Sequence, residues 1–411
     1  MRICIVSSYH LEVTAPYIHR LQHVHEVDFY VPMNNGDRNV FLFDIDARKY
    51  GRTGFLNEIE TREALGSHAQ YFSQLNKIWF FLYPNTGFAR PSLHKSFIDL
   101  ALTIKKQRYD VIHVIGQFPL LLYIHMLNPG TARVHTLHES VPHTGVFQWH
   151  EKVMLKAIAK LNVQLIFPSE ITRKRFLEYT HANPAKCHKI YFGIVENLQS
   201  FINPAIKENV NQVLLFGFIN SYKGAEYLVE ATKIAQQSYP GIQTVIAGKW
   251  SLPELKESIK NDSAFRIIDK SLSNDEMATL IQESAIVVCP YTSASNSGVV
   301  MTAFVFDKPL IASNIDGLSE VISDRQTGLL VPSRNPVALA EAILELLTNP
   351  DLRDQMKKNI SKGKTEAVFS WNRITEQTVD VYKKRLQSGK TSPGLNSDKK
   401  INLDSTLKTN A

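Results

Sequence analysis

The chain reads as an α/β protein with parallel sheets, divided into two domains, and three observations lead there. Short apolar runs alternate with helical patterns from end to end, the pattern of strands joined through helices rather than hairpins. A length of 411 residues is long for one hydrophobic core and suits two. A polar stretch near residues 193–210 separates the halves. Apolar residues at 44% and charged residues at 21% describe an ordinary globular chain, neither disordered nor fibrous. No repeat of 20–50 residues is visible, so the halves share architecture, not sequence.

In the first half, strands are predicted at 3–6, 27–31, 111–114, 133–137 and 164–168, each a short apolar run bounded by polar or helical sequence. Residues 34–93 are irregular and aromatic, with Trp79, Phe80, Phe81 and Tyr83 close together, and are expected to form an insertion over a cleft. Those rings are read as buried packing, the alternative being an exposed patch that touches membrane lipid. His113 falls within an apolar strand and is read as core. A strand at 190–192 leads into the linker.

In the second half, residues 212–219 read as a strand, 225–237 as a helix and 244–247 as a strand. A buried strand beginning near Val287 runs into a Ser/Asn/Gly loop, a helix opens at Gly298, and another buried strand follows Lys308. Asn335 and Pro336 supply the cap and first position of a helix through Leu347, with Val337, Leu339, Ala340, Ile343, Leu344 and Leu347 on one face. Residues 369–387 form a final helical segment carrying Trp371, Ile374, Val379 and Tyr382. Residues 388–411 lack periodicity and are expected to be a disordered tail. The expected division is a first domain 1–192, linker 193–210, second domain 211–368, final helix 369–387 and tail.

Composition narrows the function classes. Cys4, Cys187 and Cys289 lie far apart with no Cys-x-x-Cys pair, which points to a reducing compartment and away from zinc. The first residues lack the charged leader, long apolar core and cleavage site of a signal peptide, and no apolar run approaches the roughly 18 residues needed to cross a bilayer. A cytoplasmic protein is expected, with peripheral contact at the inner membrane face compatible with a formal charge of +7. The pI of about 9.0 favours anionic partners. No RNA- or DNA-binding motif is present, so nucleic acid is not expected among them.

The loop before Gly298 carries the clearest chemistry. A helix that opens behind such a loop presents free backbone N–H groups and a positive dipole end, which suit a phosphate. Its hydroxyls and amide suit sugar hydroxyls. An isolated loop of this kind is ordinarily a capped turn. Here its neighbours matter: the run from Val213 to Leu228, then Val245 to Gly248, then 287–299, Asp316 to Glu320 and Thr327 to Pro332. In order and spacing this resembles the carboxyl-terminal half of retaining glycosyltransferases of family 4, which have the GT-B fold, over roughly residues 210–350.

The resemblance implies two Rossmann-like domains facing across a cleft, with the final helix crossing back to the first. It implies transfer of a sugar from a UDP- or GDP-linked donor to a hydroxyl acceptor, lipid-linked acceptors included, with retention at the anomeric carbon. Neither metal nor cofactor is implied. Cell-surface polysaccharide or glycolipid assembly is the usual setting. Lys223 falls on the diphosphate-binding lysine, just after a strand and before a helix; Gly217 would let the backbone approach the nucleotide. Ser295, Asn296, Ser297, Gly298 and Val299 form the donor loop, and Glu320 matches the glutamate of a Gly-x-x-Glu turn, where capping a helix start is an equal reading. His138 matches a histidine near the donor sugar and is the catalytic candidate; Glu139 stands where Asp is commoner. His10 and His143 are candidates for the acceptor side.

Two departures stand out. Phe218 occupies the usual place of an arginine, and the Glu-x7-Glu pair of many members is replaced by Ser295 and Ala303. The Ser-Gly-Val form at 297–299 resembles a subset of the family that lacks the acidic pair. Two rivals share the fold: a non-catalytic scaffold or binding subunit, and a sugar-nucleotide epimerase, for which no convincing acid/base pair of carboxylates is found.

Overall fold

The computed structural model describes residues 1–7, 11–36, 38–39, 45–66, 69, 72–139, 149–295, 297–366 and 369–390. The first half builds an eight-stranded sheet in the order Cys187–Lys189, Gln164–Phe167, Ala132–Thr136, Val111–Ile115, Arg2–Ser7, Glu26–Asn34, Lys77–Tyr83, Gly54–Phe55. All neighbours are parallel except the last pair. The second half builds a six-stranded parallel sheet in the order Phe265–Ile268, Gln243–Ala247, Asn209–Phe216, Ser284–Cys289, Leu310–Ser313, Gly328–Val331. Helices cover both faces, so Ser284–Cys289 is buried throughout.

Each sheet starts at an inner strand, grows to one side and then crosses to the other. The two strands flanking that reversal leave a crevice at their carboxyl ends. In the second sheet they are Asn209–Phe216 and Ser284–Cys289, so Gly217 and the segment that follows Cys289 leave from one crevice.

The aromatic run in 34–93 is not an insertion over the cleft. Lys77–Tyr83 is a strand within the sheet, pairing in parallel from Asp28↔Lys77 to Asn34↔Tyr83. Phe80 and Leu82 join one core cluster while Phe81 and Tyr83 join another. With both faces buried the apolar alternation vanishes, and that hid the strand. Trp79 stacks on Tyr30 at 6.0 Å, so these rings are packing and not a surface patch.

Other expectations also shift. The strand expected at 190–192 is Cys187–Lys189, because that segment matches the register of Gln164–Phe167. The strand expected to reach 219 stops at Phe216, because Gly217 turns at φ +106°. The linker is less polar than expected: Ile194, Val195 and Leu198 are buried, and Glu196–Phe201 is a helical turn. The final helix runs Trp371–Lys390, three residues into the expected tail; residues 391–411 lie outside the described ones. It packs on the first half, with the Trp371 indole donating to the Ile194 carbonyl at 2.7 Å and the Tyr382 hydroxyl meeting Tyr17 and, at 2.7 Å, His113. Among the described residues no helix is long and apolar enough to cross a membrane.

His113 is core, as its strand position suggests, and belongs to a buried histidine network. Its Nε2 lies 2.8 Å from the Thr136 hydroxyl, while His125 Nε2 lies 2.8 Å from His135 Nδ1. Burial pulls His113 down to about 3 and His135 to about 4. Both rings are therefore neutral in the fold at pH 5, whereas the unfolded chain protonates them below about 6.5. Stability should be full above about pH 6.5 and fall as pH drops toward those folded values, each ring contributing up to about 1.4 kcal/mol per pH unit. Denaturant titrations at pH 7.5 and 5 check this; equal midpoints would show the rings to be solvated.

Candidate functional site

Lys223 ends the short turn Ser221–Lys223, and the local sequence forces its side chain inward. Gly224 sits at φ +66°, where a Cβ would lie 1.9 Å from the Pro290 carbonyl oxygen, so only glycine lets the turn press against the neighbouring loop. The Tyr222 carbonyl accepts from Thr292 N–H at 2.9 Å and locks that contact. The lysine is only 6% exposed. Its ammonium donates to the Tyr291 hydroxyl at 2.6 Å and lies 4.2 Å from that ring's centroid. Burial pulls Lys223 down to about 8.

Lys223, Gly217 and Val299 meet at one point. A Cβ built on Gly217 would sit 3.6 Å from Lys223 Nζ and 3.7 Å from Val299 Cγ2. Helix Gly298–Val305 opens beside them behind Ser297, whose side chain makes no cap bond. Gly298 is exposed, and a Cβ there would meet nothing within 4 Å. A bare backbone corner and the positive end of a helix thus face one space, with a buried cation next to Gly217. Phe218 is about half exposed, and Ala303 is fully buried in the core.

Across the space, His138 follows strand Ala132–Thr136 and is 5% exposed. Its ring stacks on Phe192 with centroids 4.6 Å apart. The next residue, Glu139, reaches the other half of the molecule: the Ser295 hydroxyl donates to its two carboxylate oxygens at 2.7 and 2.8 Å. Ser295 is 4% exposed and already engaged. Glu320 lies between the cleft-lining residues Gly317 and Val321. Its carboxylate accepts from the backbone N–H of Glu170 and Ile171 at 2.7 and 3.0 Å, capping helix Glu170–Thr180 of the first half. His10, His143 and Asn296 lie outside the described residues.

His138, Glu139 and Phe192 on one side, with Gly217 and Ser297–Val299 on the other, line a cleft of about 400 Å³. The sequence pattern brought Lys223, Gly217 and the loop together but missed Tyr291 and the Ser295–Glu139 contact. Pro290-Tyr291 at the end of a buried strand was the available signal for the first. The second had none, because its partners are 156 residues apart, in loops that follow strands of different sheets.

Two mainly parallel sheets with facing crevices, and between them a cleft lined by a bare helix start with a buried lysine behind Gly217, define a two-domain α/β enzyme of the GT-B class. Residues 198–363 match glycosyl transferases group 1, and residues 58–197 match Glycosyltransferase Family 4. The chain belongs to these glycosyltransferases. A D-inositol 3-phosphate glycosyltransferase of Corynebacterium diphtheriae is 25% identical over 84% of this chain and 89% of its own. An alpha-D-kanosaminyltransferase of Streptomyces kanamyceticus is 25% identical over 67% of this chain and 72% of its own. Among solved structures, Anabaena HepE in complex with UDP superposes with a TM-score of 0.67 at 14% identity, covering 93% of this chain and 100% of that one, which speaks for the fold alone.

Proposed function

We propose that the protein is a retaining glycosyltransferase of the Ser-Gly-Val subset, moving a sugar from a UDP- or GDP-linked donor to a hydroxyl acceptor. The observation that carries this reading is the convergence of Lys223, Gly217 and the start of helix Gly298–Val305, opposite His138. The ammonium and helix dipole would hold the diphosphate without a metal. The bond from the anomeric carbon to the phosphate oxygen breaks, and its electron pair leaves with the nucleotide diphosphate. The acceptor oxygen bonds to the same face of that carbon, and its proton passes to the departing phosphate. His138 would hydrogen-bond the sugar as positive charge develops on it. In support, Anabaena HepE was solved with UDP-glucose, and the curated relatives carry glycosyltransferase names. Cell-surface polysaccharide or glycolipid assembly, with peripheral membrane contact and a lipid-linked acceptor, fits the family and the basic charge.

The test is a thermal-shift screen against UDP-, GDP-, ADP- and dTDP-sugars, followed by turnover with and without excess chelator and by NMR of the product anomer. Expected are stabilisation by one nucleotide class, turnover that survives chelator, and a product of the donor's configuration. An inverted anomer would remove retention, and chelator-sensitive turnover would remove the metal-free step.

A further inference from the structure

We propose that the exposed face of helix Trp149–Lys160 seats the protein on an anionic bilayer, with Trp149 and Val153 at headgroup level and Lys152, Lys156 and Lys160 around them. The inference deepens the reading above, in which a lipid-linked acceptor has to reach the cleft.

At roughly 100° per residue, positions 149, 152, 153, 156 and 160 fall on one side of the helix. All of them are exposed, Trp149 by 70% and Val153 by 56%. Met154, Leu155 and Ile158 hold the opposite side in the core. Glu151, the helix's one acidic residue, is half-buried and lies almost opposite Trp149. The exposed face therefore carries three lysines and no carboxylate.

That composition selects the occupant. The apolar part is two side chains on a helix of 12 residues, about 18 Å long. A stable protein interface buries about 600 Å² or more on each partner, which two side chains do not supply. A bilayer surface asks for less area. An indole suits the headgroup level, and lysine stems lie along the surface while their ammonium groups stay wet. Anionic headgroups supply the complementary charge.

The face is also well placed. Phe88 follows the carboxyl end of strand Lys77–Tyr83; its ring lies 6.2 Å from that of Trp149 and stacks on His150 at 4.3 Å. The helix thus starts at the carboxyl ends of the first sheet, the side on which His138 lines the cleft. An acceptor anchored in a membrane under this face would enter from the first half.

The test floats the full chain with vesicles of phosphatidylcholine alone, or with about one-quarter phosphatidylglycerol, at low salt and at about 0.5 M salt. One variant carries Lys152→Gln, Lys156→Gln and Lys160→Gln; a second carries Trp149→Ser and Val153→Ser. A control loses the same charge from exposed lysines of the second half, through Lys233→Gln, Lys260→Gln and Lys358→Gln. Calorimetry with UDP and GDP runs in parallel. Wild type should float with the anionic vesicles only, and salt should release it. The helix lysine variant should partition about 100-fold more weakly, near fivefold per charge. The Trp149 and Val153 variant should lose about tenfold or more, and the control less than about threefold. All variants should bind nucleotide as wild type does.

A control that loses as much as the helix lysine variant, or helix variants that float like wild type, would overturn the assignment of this face. So would a wild type that ignores anionic vesicles but forms a dimer that Trp149→Ser with Val153→Ser dissolves, since the face would then join copies of the chain. Nucleotide binding without flotation would overturn this inference and spare the donor reading. Flotation by a protein that takes no nucleotide would do the reverse.

Discussion

Replacing Lys223 by Met should weaken UDP or GDP binding about 10- to 100-fold and nearly abolish transfer without lowering the melting temperature. The ammonium is 6% exposed, and its partners are the Tyr291 hydroxyl and ring. Its charge is desolvated, and among the described residues no carboxylate forms an ion pair with it, so without an anion it disfavours the fold slightly. A diphosphate supplies that anion. Methionine fills a similar volume without the charge, and stability should therefore hold or rise while binding falls.

The pH dependence has a definite sign. Lys223 stands at about 8 in the free protein, so the charged form dominates below that value and the neutral amine above it. Nucleotide affinity should be highest on the acid side and decline as pH rises through about 8; a bound diphosphate would shift the decline upward. Calorimetry with UDP and GDP at pH 6.5, 7.5 and 9, on wild type and Lys223→Met, reads this directly. A variant that binds like wild type, or a wild type whose affinity ignores pH over this span, would remove the lysine from the phosphate site.

Gly298→Val should have the second large effect. The protein has room for the change, because a Cβ at 298 meets nothing within 4 Å. Valine is also a slightly better helix residue than glycine, so the fold should be unaffected or marginally stabilised. What the added methyl groups occupy is the space where a phosphate would approach the first N–H groups of helix Gly298–Val305. Those are hydrogen bonds to a charged acceptor, and losing two of them should weaken nucleotide binding about 100-fold or more. The measurement is a melting curve in parallel with UDP and GDP calorimetry. Retained affinity in a normally folded variant would place the phosphate elsewhere in the cleft.

The sequence by itself determined the α/β class with parallel pairing and several strands and helices of the second half, because short apolar runs and capped helices are local signals. Asn335 capping Ala338 at 3.0 Å, Pro336 behind it, and the helix opening at Gly298 all follow from neighbours within a few positions. Gly217 and Lys223 were legible for the same reason: they stand at fixed offsets from a strand end. Where two faces are buried at once the local signal fails, so Lys77–Tyr83 passed for an irregular aromatic segment although it pairs inside the sheet. Only the tertiary structure decided what contacts made over long separations do. It buried Lys223 against Tyr291, engaged Ser295 with Glu139, and set the Glu320 carboxylate against the start of a helix in the other half. The physical reason is that periodicity and turn chemistry act over a few residues, whereas the character of a charge is set by what the fold brings within about 3 Å of it.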